Sequence, residues 1–148
     1  NLIDYIYMLL RFESGMKGSL WMTKTALGHR NGLTVRVYGE KASACWYQME
    51  PEELLINYLD GHREVVDRGS KCRVAGELRY TRFKTGHPAG FIEAFANLYA
   101  DIAEALNEFK KSGKWTTPHV YGFEDAAKGL KFFEAASKSY REQKWVRV

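Results

Sequence analysis

Ile92-Glu93-Ala94-Phe95-Ala96-Asn97-Leu98-Tyr99-Ala100-Asp101-Ile102-Ala103-Glu104-Ala105-Leu106-Asn107-Glu108-Phe109 is where the chain changes its period. Ile92, Phe95, Ala96, Tyr99, Ile102, Ala103, Leu106 and Phe109 recur every three or four residues, one apolar stripe along roughly five helical turns. Lys110 and Lys111 suit the negative end of the helix dipole, and Ser112-Gly113 supplies a stop. A second helix is expected from Glu124 onward, with Ala127, Leu130, Phe133 and Tyr140 along one side.

Upstream the period is two. Tyr5, Tyr7 and Leu9 alternate with Ile6, Met8 and Leu10 before the turn pair Ser14-Gly15. A second strand is expected over Lys17 to Leu27, ending at the turn Gly28-His29-Arg30-Asn31-Gly32. Leu33, Val35 and Val37 then alternate with Thr34, Arg36 and Tyr38, and Glu40-Lys41 turns the chain into Ala44, Trp46 and Gln48. Beyond Pro51, Leu54 to Leu59 and Arg63 to Arg68 flank Asp60-Gly61, a hairpin signal. Short connections make successive strands antiparallel neighbours. Gly69 to Gly86 is polar and basic without a period, so it reads as a long connection, and Trp145 to Val148 reads as a short edge strand. Strands first and helices afterwards predict an α+β fold: an open, mainly antiparallel sheet with two long helices packed on one face.

The first strand carries apolar or aromatic residues on both faces, and Trp21 and Trp46 add to the load. A sheet with helices on one side should leave its opposite face polar. Either the monomer fold is more complicated than one half-covered sheet, or the second face meets another copy, giving a homo-oligomer formed through the open sheet face.

The bulk properties narrow the classes. At 148 residues, 45% hydrophobic and 27% charged, the chain fits one domain, 1–148, rather than a disordered or membrane protein. Its longest apolar run, Ile6 to Leu10, is broken at Arg11, far short of the ~20 residues that span a bilayer. The net charge of +4 is scattered among acids, which argues against a nucleic-acid partner. Cys45 and Cys72 lack ligand spacing and read as reduced thiols of a cytoplasmic protein. Asn1 leads almost directly into a strand, so the chain is expected to begin inside a longer protein.

Chemistry is sparse. There is no Gly-x-Gly, no Gly-Lys-Ser/Thr and no nucleophile elbow. His29, His62, His87 and His119 share no metal-ligand spacing. His87 stands apart within Gly86-His87-Pro88-Ala89-Gly90, directly before the long helix, whose first N–H groups could meet an electronegative ligand atom. His29 and Arg30, in the turn after the second strand, are weaker candidates. Lys24, a cation sharing a strand face with Met22 and Ala26, could hydrogen-bond a sugar hydroxyl.

Three stretches together resemble the C-terminal domain of the Gfo/Idh/MocA oxidoreductases, the glucose–fructose oxidoreductase and inositol dehydrogenase family. They are Leu10-Arg11-Phe12-Glu13-Ser14-Gly15 through Gly18-Ser19-Leu20, Gly28-His29-Arg30-Asn31-Gly32-Leu33 through Val37-Tyr38-Gly39-Glu40-Lys41, and Gly86-His87-Pro88-Ala89-Gly90-Phe91 with Glu93-Ala94-Phe95. The resemblance implies a two-domain enzyme whose preceding Rossmann domain, absent from this chain, holds NAD or NADP. It implies hydride exchange with a sugar, polyol or related substrate, and a C-terminal domain that walls the substrate pocket and builds the oligomer. The family's Glu-Lys-Pro lysine is not here, since Glu40-Lys41 is followed by Ala42, and no Asp has a His four residues later. Catalytic and cofactor-binding residues are therefore expected upstream, and this chain alone is expected to be inactive without bound cofactor. By the same resemblance His87, with Lys24, His29 and Arg30, would face substrate. The competing classes are a stand-alone small-molecule-binding module and a purely structural dimerisation module.

Overall fold

A computed structural model of the chain describes residues 3–70, 77–81 and 83–148. The α+β class holds: among the described residues six antiparallel strands precede two long helices. The strands form a two-stranded and a four-stranded sheet, and the chain divides into two compact units, 1–29 with 121–148, and 30–120.

In the first unit β1 (Tyr5–Arg11) pairs with β2 (Lys17–Thr23), from Tyr5 opposite Thr23 to Arg11 opposite Lys17. The hairpin closes where the Phe12 N–H donates to the Met16 carbonyl at 2.9 Å. Along β1 burial follows the pleat: Tyr5, Tyr7, Leu9 and Arg11 are exposed, while Ile6, Met8 and Leu10 are half-buried. Tyr7 stands opposite Trp21, so the exposed face is aromatic.

β2 stops at Thr23, four residues short of the expected Leu27, for a local reason. The Thr23 hydroxyl accepts the Thr25 N–H at 3.1 Å, a side-chain turn that pulls the backbone out of the ladder. Lys24 consequently lies beyond the strand rather than on its face.

The second helix of the chain, α2 (Phe123–Glu142), carries Glu124 and Asp125 in its first turn and Arg141 in its last, as the helix dipole favours. The expected edge strand over Trp145–Val148 is not formed. Side chains hold that tail instead: the Arg11 guanidinium lies 4.4 Å above the Trp145 ring, and Arg147 pairs with Glu13.

In the second unit β3 (Thr34–Tyr38), β4 (Ala42–Tyr47), β5 (Leu54–Tyr58) and β6 (Arg63–Val66) pair in sequence order. The register aligns Val35, Trp46, Leu54 and Val66 across one face and Arg36 with Cys45 and Leu55 with Val65 on the other. The Asp60-Gly61 hairpin forms as expected: Gly61 takes φ 88°, and the Asp60 carboxylate accepts the His62 N–H at 2.9 Å. The Trp46 indole donates to the Pro51 carbonyl at 3.1 Å, fixing the β4–β5 connection.

The first helix, α1 (Phe91–Ser112), belongs to this unit and ends where the Gly113 N–H meets the Phe109 carbonyl. The described residues of 69–86 form turns without helix or strand, and Cys72 lies outside the described residues. Cys45 is a free, half-buried thiol.

The apolar core is small. Among the described residues Val66 and Ala105 are the buried hydrophobic side chains, while many large ones remain uncovered. No helix among the described residues is long and apolar enough to cross a membrane.

Candidate functional site

The segment between the long connection and α1 carries the strongest candidate. Gly86 takes φ 89°, a left-handed turn that a side chain disfavours, and it delivers His87 to an exposed position. The His87 N–H donates to the Lys84 carbonyl at 3.1 Å, and the ring Nδ1 lies 3.2 Å from the same oxygen. A carbonyl oxygen only accepts, so Nδ1 carries the proton in this contact. The lone pair of the neutral ring is then on Nε2, able to accept a hydrogen bond from a hydroxyl.

The loop is held from the sheet. Arg68, just beyond β6, donates through Nη2 to the His87 carbonyl at 2.6 Å. Glu52, just ahead of β5, accepts the Ala89 N–H on Oε1 at 3.2 Å. Arg68 Nε and Glu52 Oε2 form an ion pair with each other, the Arg68 side chain being largely buried.

At the helix start the Glu93 carboxylate accepts the Gly90 N–H at 2.8 Å, the half of a capping box that a glycine N-cap allows. Bonds from its own backbone N–H and from that of Gly90 hold the Glu93 carboxyl below the usual range.

The remaining candidates fall in both units, Lys24 and His29 in the first and Arg30 in the second. Lys24 is exposed, and its backbone N–H donates to the Asp4 carbonyl at 2.9 Å. His29 is exposed with its ring edge-on to Trp21 at 6.1 Å. Arg30, also exposed, opens the unit that contains His87. Among the described residues no hydrogen bond or ion pair joins any two of these four. His62 stacks at a tilt on Tyr58, and the His119 N–H bonds the Thr117 hydroxyl. No group of three metal-ligating side chains occurs among the described residues.

A second anchor also escaped the sequence pattern. Arg79 reaches both Asp101 and Glu104 of α1 at 2.6 Å, and its guanidinium pKa is raised, chiefly by the bond to Asp101. Asp101 is buried on the same covered side of α1 as Ala105, and the Arg79 guanidinium compensates its charge there. Neither this cluster nor the Glu52–Arg68 pair has a signature in sequence: the partners are 16 to 25 residues apart.

Two depressions flank the strands. One, of about 150 Å³, is lined by Cys45, Tyr47, Glu53, Leu55, Arg63 and Val65, on the face of the four-stranded sheet that carries Cys45, Leu55 and Val65. The other, of about 170 Å³, lies beside Leu9, Arg11, Lys17 and Trp145. Both are smaller than the ~300 Å³ at which pockets for whole small-molecule ligands begin.

Comparison with known proteins places these features in a lineage. Residues 2–148 match the model described as the oxidoreductase family, C-terminal alpha/beta domain. The oxidoreductase YfiI of Bacillus subtilis is 28% identical over 104 residues, covering 70% of this chain and 26% of YfiI. An inositol dehydrogenase homolog of Azotobacter vinelandii, solved in complex with NAD+, superposes with a TM-score of 0.86 at 27% identity, covering 98% of this chain and 38% of that one. The Azotobacter homolog complexed with NADH and myo-inositol gives a TM-score of 0.68 at 30% identity, over 74% of this chain and 29% of that one. The chain thus spans well under half the length of these relatives.

Proposed function

Because the chain belongs to the Gfo/Idh/MocA oxidoreductase family through its C-terminal α/β domain, we propose that it is the substrate-side and assembly-side part of an NAD(P)-dependent dehydrogenase. Its substrate would be a sugar, polyol or related compound. The observation that carries this reading is the anchored loop that presents His87 with Nε2 available to a hydroxyl. The Azotobacter homolog, with NADH and myo-inositol, supports the same class of cofactor and substrate.

In this reading residues 1–148 follow a Rossmann domain, and the reacting lysine and histidine lie in that domain. The nicotinamide held there supplies a hydride acceptor for the carbinol carbon. This chain's residues bind and orient: His87 Nε2 accepts a hydrogen bond from a substrate hydroxyl, and Lys24, His29 and Arg30 supply donors toward others. The loop also takes the place of water around the substrate as the pocket closes. The assembly role rests on the aromatic face of the two-stranded sheet, where Tyr5, Tyr7, Leu9 and Trp21 are each more than half exposed. A second copy covering this face forms the homo-oligomer, in the cytoplasm. Residues 1–148 alone bind no nicotinamide.

The test is His87→Ala in the protein that carries both domains. The reading expects the KM for the polyol to rise while the KM for the nucleotide stays the same. An unchanged kcat/KM would reduce the domain to a structural dimerisation module.

A further inference from the structure

The loop that bears His87 cannot hold itself. Its central residue, Pro88, has no N–H to donate, Gly86 adds backbone freedom, and among the described residues the imidazole is hydrogen-bonded to the Lys84 carbonyl alone. What fixes it is a ring of four groups that brackets Pro88: the His87 carbonyl, the Arg68 guanidinium, the Glu52 carboxylate and the Ala89 N–H. Every member uses a separate atom. Arg68 spends Nη2 on the loop and Nε on Glu52, while Glu52 spends Oε2 on Arg68 and Oε1 on the loop.

We infer that Glu52 and Arg68 are positioning residues, which set the direction in which His87 meets substrate by holding the backbone on both sides of Pro88. This rests on the substrate role proposed above for His87. The forked guanidinium is needed for the arrangement, since a lysine ammonium at 68 is a point charge without the planar fork that reaches two acceptors in fixed directions. The carboxylate is needed as well, because it accepts on both oxygens at once. Their placement explains why the pair stands at the two ends of the β5–β6 hairpin: the rigid sheet carries the reference frame, and the loop takes its orientation from it.

Two measurements test the inference. In the 148-residue chain, long-range ¹⁵N–¹H spectra of the imidazoles report the ring environment of each histidine. Glu52→Ala and Arg68→Lys are expected to move the His87 ring signals and leave those of His29, His62 and His119 in place. In the protein with its nucleotide-binding domain, the same variants are expected to lower kcat/KM for the polyol by roughly ten- to a hundred-fold. The loss should fall on the KM for the polyol and spare that for the nucleotide. Glu52→Gln keeps an oxygen for the Ala89 N–H, so it should fall between wild type and Glu52→Ala, and it carries the test if the alanine variant unfolds. Unmoved His87 signals in both Glu52→Gln and Arg68→Lys overturn the clamp. Moved signals with wild-type kinetics in His87→Ala overturn the substrate role, and the positioning role with it, leaving the clamp as a loop anchor alone.

Discussion

Replacing Gly86 with alanine isolates the cost of one backbone angle at the loop that carries His87. At φ 89° the new Cβ would meet nothing within 4 Å, so no steric clash enters. What remains is the left-handed conformation itself, about 1–2 kcal/mol for an L-residue. The stiffer unfolded chain offsets about 0.4–1 kcal/mol of that. The net loss is about 1 kcal/mol, or about 2–4 °C in Tm for a domain of this size. Gly122 is the matched control: it too has open space, but with φ −92° and ψ −171° its backbone suits any residue. Gly122→Ala should therefore lose less than Gly86→Ala, since the unfolded-chain gain of about 0.4–1 kcal/mol is set only against alanine being a weaker N-cap than glycine for α2. Thermal unfolding of the two variants followed by circular dichroism gives the comparison. Equal Tm shifts of the same sign would refute the reasoning, because the left-handed angle is present at Gly86 and absent at Gly122. A Gly86→Asn variant, better tolerated in the left-handed region, should recover part of the loss.

Two further outcomes follow from the helix. The Glu93 carboxyl is held below its unfolded value, so its contribution to stability is fully present above about pH 4.3 and disappears as pH falls through the depressed folded value. Denaturant midpoints of wild type and Glu93→Gln should differ near pH 6 and draw together as pH falls through the depressed carboxylate value; a constant difference would refute the assigned cause. Ala105, 1% exposed on α1, has no room for a larger side chain, and Ala105→Leu should cost about 1–3 kcal/mol in urea unfolding. An unchanged midpoint there would mean that the site is not closely packed.

What could be read in advance divides along the range of the interactions involved. The stripe from Ile92 to Phe109 announced α1, observed as Phe91–Ser112, because helical spacing and a terminal Gly113 are local signals. The Asp60-Gly61 hairpin was legible for the same reason. β2 is shorter than its composition predicts because the Thr23–Thr25 side-chain turn competes with a β-branched, strand-favouring stretch. The residues of the tail at Trp145 favour a strand, but a ring contact and an ion pair hold it instead. At the site, the Gly-His-Pro-Ala-Gly segment drew notice through its glycines and proline, yet nothing nearby named Glu52 and Arg68. Their role exists only after the β5–β6 hairpin brings positions 52 and 68 to one loop.

The order of the four-stranded sheet has a consequence for how the chain folds. Each of its strands is hydrogen-bonded only to its neighbours in sequence, so the sheet assembles by closing short turns. The loop of His87 is fastened by a bond that spans 37 residues, from Ala89 back to Glu52, and that closure carries a larger entropic cost. The sheet should therefore order first, and the substrate loop last. The same inequality runs in reverse: amide exchange at Ala89 should outpace exchange in β4 and β5, with the binding loop opening and reclosing over a sheet that stays folded.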